Sequence, residues 1–160
     1  LNNNYTGTTI TLNKITLAGS KDGTPKAFYP KGNIDLSTGN WTPSTTDEKL
    51  NFEWFTNTSG MVLNTEAADN AADNYLFVIP QDFSASATDE LYVIVEYTIE
   101  GYKGVTTPMK NMVYQKLEKN FEQGKAYTFK LTLGLTPIEF DVTTVEGWTD
   151  TNQGDINSWN

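Results

Sequence analysis

Residues 124–148 read GKAYTFKLTLGLTPIEFDVTTVEGW, and their periodicity decides the fold class. In the first half, Tyr127, Phe129, Leu131 and Leu133 fall on one side of an extended chain, and Ala126, Thr128, Lys130 and Thr132 on the other. After Gly134 and Pro137, Ile138, Phe140 and Val142 alternate with Glu139, Asp141 and Thr143. A strand turns successive side chains to opposite faces. A period of two therefore predicts two half-buried antiparallel strands, each with one wet face. Neither strand carries chemistry.

The same period recurs outward from this pair. Leu91, Val93, Val95, Tyr97 and Ile99 form the longest run, and Tyr92 and Ile94 opposite them predict cover on both sides. Gly101 to Gly104 closes a hairpin into residues 105–109. Ile10 and Leu12 share a face that Ile15 and Leu17 continue only if Asn13-Lys14 holds an extra residue, which predicts a β-bulge. Asp22-Gly23 centres a turn leading to Ala27-Phe28-Tyr29. Residues 34–36 read as a short strand, Thr38-Gly39-Asn40 as a turn and Pro43 to Asp47 as a loop. Leu50, Phe52 and Trp54 alternate with Asn51 and Glu53, and Met61 to Leu63 is a separate short apolar piece. Tyr75 to Ile79, a near-continuous apolar run stopped by Pro80, predicts a central strand. Residues 64–74 predict a loop or a single helical turn. In residues 111–121, Val113, Leu117 and Phe121 keep a helical spacing while Met112 and Tyr114 fit a strand, and a strand followed by a loop is expected. The pattern predicts an all-β protein: an antiparallel β-sandwich of seven to ten strands over residues 1–149, with a barrel as the second architecture. A polar tail, residues 150–160, follows.

Composition narrows the chemistry. The 160 residues contain 20 acids and 11 lysines, for a net charge of −9. That balance repels nucleic-acid phosphates and anionic lipid. There is no His, Cys or Arg. A Ser-His-Asp triad, a thiol nucleophile, a disulfide framework and a thiolate metal site are all excluded, as are guanidinium clamps on phosphate. No apolar run approaches the ~20 residues that span a bilayer as a helix. The chain starts at Leu1 without Met, as a fragment or a processed form would.

Four segments carry a family resemblance: TITLNKITLAG (9–19), IDLSTGNW (34–41), YLFVIPQ (75–81) and FEQGKAYTFKLTLGLTPIEFDVTTVEGW (121–148). Together, and in this order, they are similar to the fimbrillin-like proteins of Bacteroidetes, whose stalk, tip and anchor subunits build type V pili. The resemblance implies the C-terminal domain of such a protein, a transthyretin-like β-sandwich without most or all of the N-terminal domain and lipoprotein signal. It further implies a non-catalytic structural or adhesive subunit of cell-surface fimbriae, exported through the outer membrane as a lipoprotein precursor. Such subunits join other pilus subunits by β-strand exchange, and an adhesive one binds a host or bacterial surface glycan or protein. Some are trimmed by an Arg-specific protease. Without Arg, any such cleavage would fall upstream of Leu1.

Candidate sites are few, and neither a cofactor nor a catalytic residue is expected. Asp150, Asn152 and Asp155 have the oxygen density of a calcium loop. However, Gly154 sits one place early for an EF-hand and no Glu closes a twelve-residue loop, so a solvated tail is the expected reading. Glu66, Asp69 and Asp73 read likewise as a loop face. Of the aromatics, Trp54 is assigned to the core on its alternation, and Trp148 by its place in the family resemblance. Trp41, after Gly39-Asn40, and Trp159, in the polar tail, are the candidates for a ligand surface. They support an alternative function, a surface glycan-binding module that stacks sugars on exposed rings.

After Trp148 the only apolar side chains are Ile156 and Trp159, whose odd separation puts them on opposite faces of any strand. This tail makes a poor donor strand. Deleting residues 150–160 is therefore expected to leave polymerisation with stalk subunits intact, judged by crosslinking or by electron microscopy of surface filaments. Loss of polymer from a folded domain would identify the tail as the donor.

Overall fold

The computed structural model describes residues 7–63, 75–133 and 139–147, with only the backbone of residues 128, 130, 132 and 139–147. It is all-β. Among the described residues ten strands follow one another: β1 (Thr9–Ala18), β2 (Gly32–Ile34), β3 (Trp41–Pro43), β4 (Phe52–Val62), β5 (Gln81–Phe83), β6 (Leu91–Glu100), β7 (Met109–Leu117), β8 (Lys119–Phe121), β9 (Lys125–Thr132) and β10 (Glu139–Gly147). Among the described residues the one helical element is a 3-10 turn, Tyr102–Gly104.

One layer is a four-stranded antiparallel sheet in the order β4-β1-β6-β7. The Thr/Ile alternation of β1 and the Val/Ile run of β6 suit a pleated, half-buried surface. Ile10, Leu12, Leu17, Leu91, Val93, Val95, Tyr97 and Ile99 all face the core. Ile94 is also buried, on the opposite face, so β6 is covered on both sides as expected. The expected bulge is present: against β6 the register runs Leu12↔Tyr97 and then Lys14↔Glu96, leaving Asn13 extra. Its side-chain oxygen accepts a hydrogen bond from Thr98 Oγ1 at 2.8 Å. Against β4 the register jumps from Leu12↔Met61 to Lys14↔Thr56, so β4 bulges at the same level. Gly60 turns that bulge with φ 73, and a Cβ there would lie 2.1 Å from Thr11 Cγ2. The bulge absorbs the polar residues 57–59. It lets β4 run unbroken from Phe52 to Val62, where the sequence suggested two separate pieces.

The facing layer is assembled from the antiparallel pairs β9–β10, β5–β8 and β2–β3. The alternation in residues 124–148 is borne out in β9. Tyr127, Phe129 and Leu131 pack on the core, and Leu133 is buried. Phe140 lies opposite Leu131 and Val145 opposite Tyr127, with a register shift between Asp141 and Thr144. Ile138 and the tail lie outside the described residues.

Four expectations are corrected. Residues 75–80 form no strand, and Tyr75 and Phe77 are 64% and 84% exposed. Leu76 and Val78 touch the core, so the segment presents one apolar face inward and one outward rather than two buried faces. Residues 119–121 are strand, not loop, because pairing with β5 brings Phe121 over Phe83. The short strand near residue 34 is Gly32–Ile34, and Trp41–Pro43 pairs with it. Asp35 stops β2: its carboxylate accepts from Ser37 N and Oγ, and its carbonyl from Gly39 N. Finally, the β6–β7 hairpin is longer than expected, since ladder pairing resumes only at Met109. Gly101 N donates to Val105 O and Val105 N to Tyr102 O, forming a compact turn in between.

The two layers meet on a set of rings. Phe28 contacts Phe52 (5.0 Å between centroids), Phe83 (5.1 Å) and Phe121 (6.2 Å). Phe121 contacts Tyr127 at 5.1 Å and Phe129 at 6.3 Å, and Phe129 meets Trp54 edge-on at 5.7 Å. Phe28 itself is wholly buried, and its backbone exchanges two hydrogen bonds with Leu50. Phe28→Ala is expected to cost about 3–5 kcal/mol in denaturant unfolding. A loss below about 1 kcal/mol would show that the ring set does not join the layers.

Candidate interaction surface

The β2–β3 hairpin shows how an exposed aromatic is positioned. DLSTGN is a turn-forming sequence. Asp35's carboxylate takes the Ser37 amide at 2.8 Å and hydroxyl at 2.7 Å, and Gly39 has the positive φ that closes the turn. Trp41 then falls opposite Ile34. Gln123, in the turn before β9, fastens the hairpin: its Nε2 donates to Gly39 O at 2.6 Å and its Oε1 accepts from Trp41 N at 3.1 Å. The Gln123 turn is in turn held by Tyr127, whose hydroxyl donates to Asn120 O and accepts from Glu122 N. The tip is thereby fastened to the turn before β9, and Trp41 and Ile34, each 41% exposed, and Leu36, 89% exposed, form its apolar surface.

A second apolar strip is Tyr75–Pro80. It precedes β5 and is tied to the body at its lower end, where Gln81 Oε1 accepts from Tyr29 N at 2.9 Å and Gln81 Nε2 donates to Ile79 O at 3.1 Å. Gly32 lets Ile79 come close, since a Cβ there would stand 3.1 Å from Ile79 Cδ1. Exposure alternates from Tyr75 to Val78 as in a strand, yet the strip joins no ladder among the described residues. The four-stranded sheet likewise ends in β4 on one side and β7 on the other, with no further strand paired to either among the described residues. On the outer face of that sheet Met112 and Tyr114 are exposed. Tyr92 and Tyr114 meet edge-on at 6.4 Å, with the Lys21 ammonium 5.9 Å from the Tyr114 ring.

The charges are local and structural. Lys14–Glu53 joins β1 to β4, and Lys116–Glu90 fastens the start of β6 to β7. Lys31–Asp47 and Lys49–Asp89 hold loops, and Lys49 also lies over the Tyr29 ring at 4.7 Å. Glu53 and Glu90 sit below the ordinary carboxylate range because lysines bond to them. Asp22 is lowered by Ser20 and the Thr24 amide, and Asp35 by Ser37. Burial pushes the Tyr97 phenol up. A shallow depression of about 310 Å³ is lined by Pro25, Lys26, Glu48 and Lys49, two lysines and a glutamate at the surface.

Of the residues singled out from sequence, Trp41 is exposed as expected, and Trp54 packs on the core as expected. Asp150, Asn152, Asp155, Trp159, Trp148, Glu66, Asp69 and Asp73 lie outside the described residues. No group of three acidic residues is placed to hold a metal among the described residues. Tyr75, Phe77 and Leu36 escaped the sequence reading, because an apolar residue does not announce whether a second layer covers it. Only the Asp-x-Ser pattern before Gly39 signalled that Leu36 sits in a turn.

The family model of fimbrillin-like proteins matches residues 1–148. No curated protein and no solved structure matches the chain. No helix among the described residues is long and apolar enough to cross a membrane.

The Asp35 turn gives a pH dependence of known sign. Its folded pKa lies below the ordinary aspartate value of about 3.9, so its stabilising effect is complete above that value. The effect is lost as pH falls through the depressed folded value. Asp35→Asn is expected to flatten the acid limb of a Tm-against-pH curve below about pH 4. An unchanged acid limb would remove Asp35 from the account.

Proposed function

The chain belongs to the fimbrillin-like family, a family of structural pilus subunits, and from that premise we propose a non-catalytic structural or adhesive subunit that joins its neighbours by β-strand exchange. One observation supports this mechanism above the others. Tyr75–Pro80 alternates in exposure from Tyr75 to Val78 and packs Leu76 and Val78 on the core, but it has no ladder partner among the described residues. A segment with no ladder partner can offer backbone N–H and C=O groups to an incoming strand, and its outward rings would set the register. Main-chain hydrogen bonds supply length-dependent affinity, and alternate side chains supply specificity. On this reading the subunit is exported through the outer membrane as a lipoprotein precursor and works at the cell surface.

The exposed rings support a glycan platform less well. Sugar stacking favours a flat group of rings, whereas Tyr92 and Tyr114 stand at 64° and Trp41 shares its surface with Ile34 and Leu36. An adhesive role would centre on Trp41 and the hairpin that Gln123 fastens.

Phe77→Asp tests the assembly mechanism. Because Phe77 is 84% exposed, the variant should keep its stability to within about 0.5 kcal/mol. It should nevertheless fail to enter surface filaments, as seen by immunogold electron microscopy. Met112→Asp, on the outer face of the four-stranded sheet, should be incorporated normally. Wild-type incorporation of the Phe77 variant would refute Tyr75–Pro80 as an assembly element, and failure of both variants alike would remove its specificity.

A further inference from the structure

We draw no further inference here: the strongest candidate, the apolar tip of the β2–β3 hairpin formed by Ile34, Leu36 and Trp41, is an unpartnered apolar face, and nothing in the structure shows what covers it.

Discussion

The aromatic chain from Trp54 through Phe129, Phe121, Phe83 and Phe28 to Phe52 is the interaction on which the rest of the molecule depends. A two-stranded sheet is marginal in water by itself, and the second layer consists of such pairs. Two of the three pairs insert rings: Phe83 and Phe121 come from β5–β8, and Phe129 from β9. The four-stranded sheet answers with Phe52 and Trp54 on β4. The rings bury large apolar areas and meet edge-on or tilted, the geometries that their quadrupoles favour. This set therefore supplies the cohesion that a continuous ladder would supply in a wider sheet.

Side-chain amides and one phenol complete the assembly where ladder bonds are missing. Asn51 accepts from Ala27 N and donates to Gly23 O, Gln81 reaches Tyr29 and Ile79, and Gln123 reaches Gly39 and Trp41. Tyr127 does the same for the turn before β9 while its ring packs against Phe121. The Asn51 and Gln81 amides satisfy part-buried backbone donors and acceptors, and Gln123 and Tyr127 do so at the surface. The hairpin carrying Trp41 is fastened by two hydrogen bonds from a single amide.

The acidic surface is compatible with this economy. Several carboxylates are turned back on their own turns or on neighbouring lysines, as at Asp22, Asp35, Glu53 and Glu90. They act as local braces rather than as a charged site. Family membership, a braced acidic surface and outward apolar strips together describe a protein that works through its surfaces. Three of those strips, at Ile34–Leu36, Tyr75–Phe77 and Met112–Tyr114, lie on separate elements and so can be tested one at a time.

Strand identity was legible in the sequence because alternation is a local property. The faces of β1, β6 and β9, and the bulge at Asn13, follow from the pleat and from the position of a single extra residue. The family was legible as well, from the order of four short segments. Pairing was not, because it joins residues far apart in the chain. That β8 would find β5, that β4 would bulge opposite Asn13, and that Tyr75–Pro80 would run beside the core without a ladder among the described residues depended on which surfaces met. An apolar run reports only that burial would be favourable. Whether a second layer arrives to bury it is decided by the packing of the whole chain.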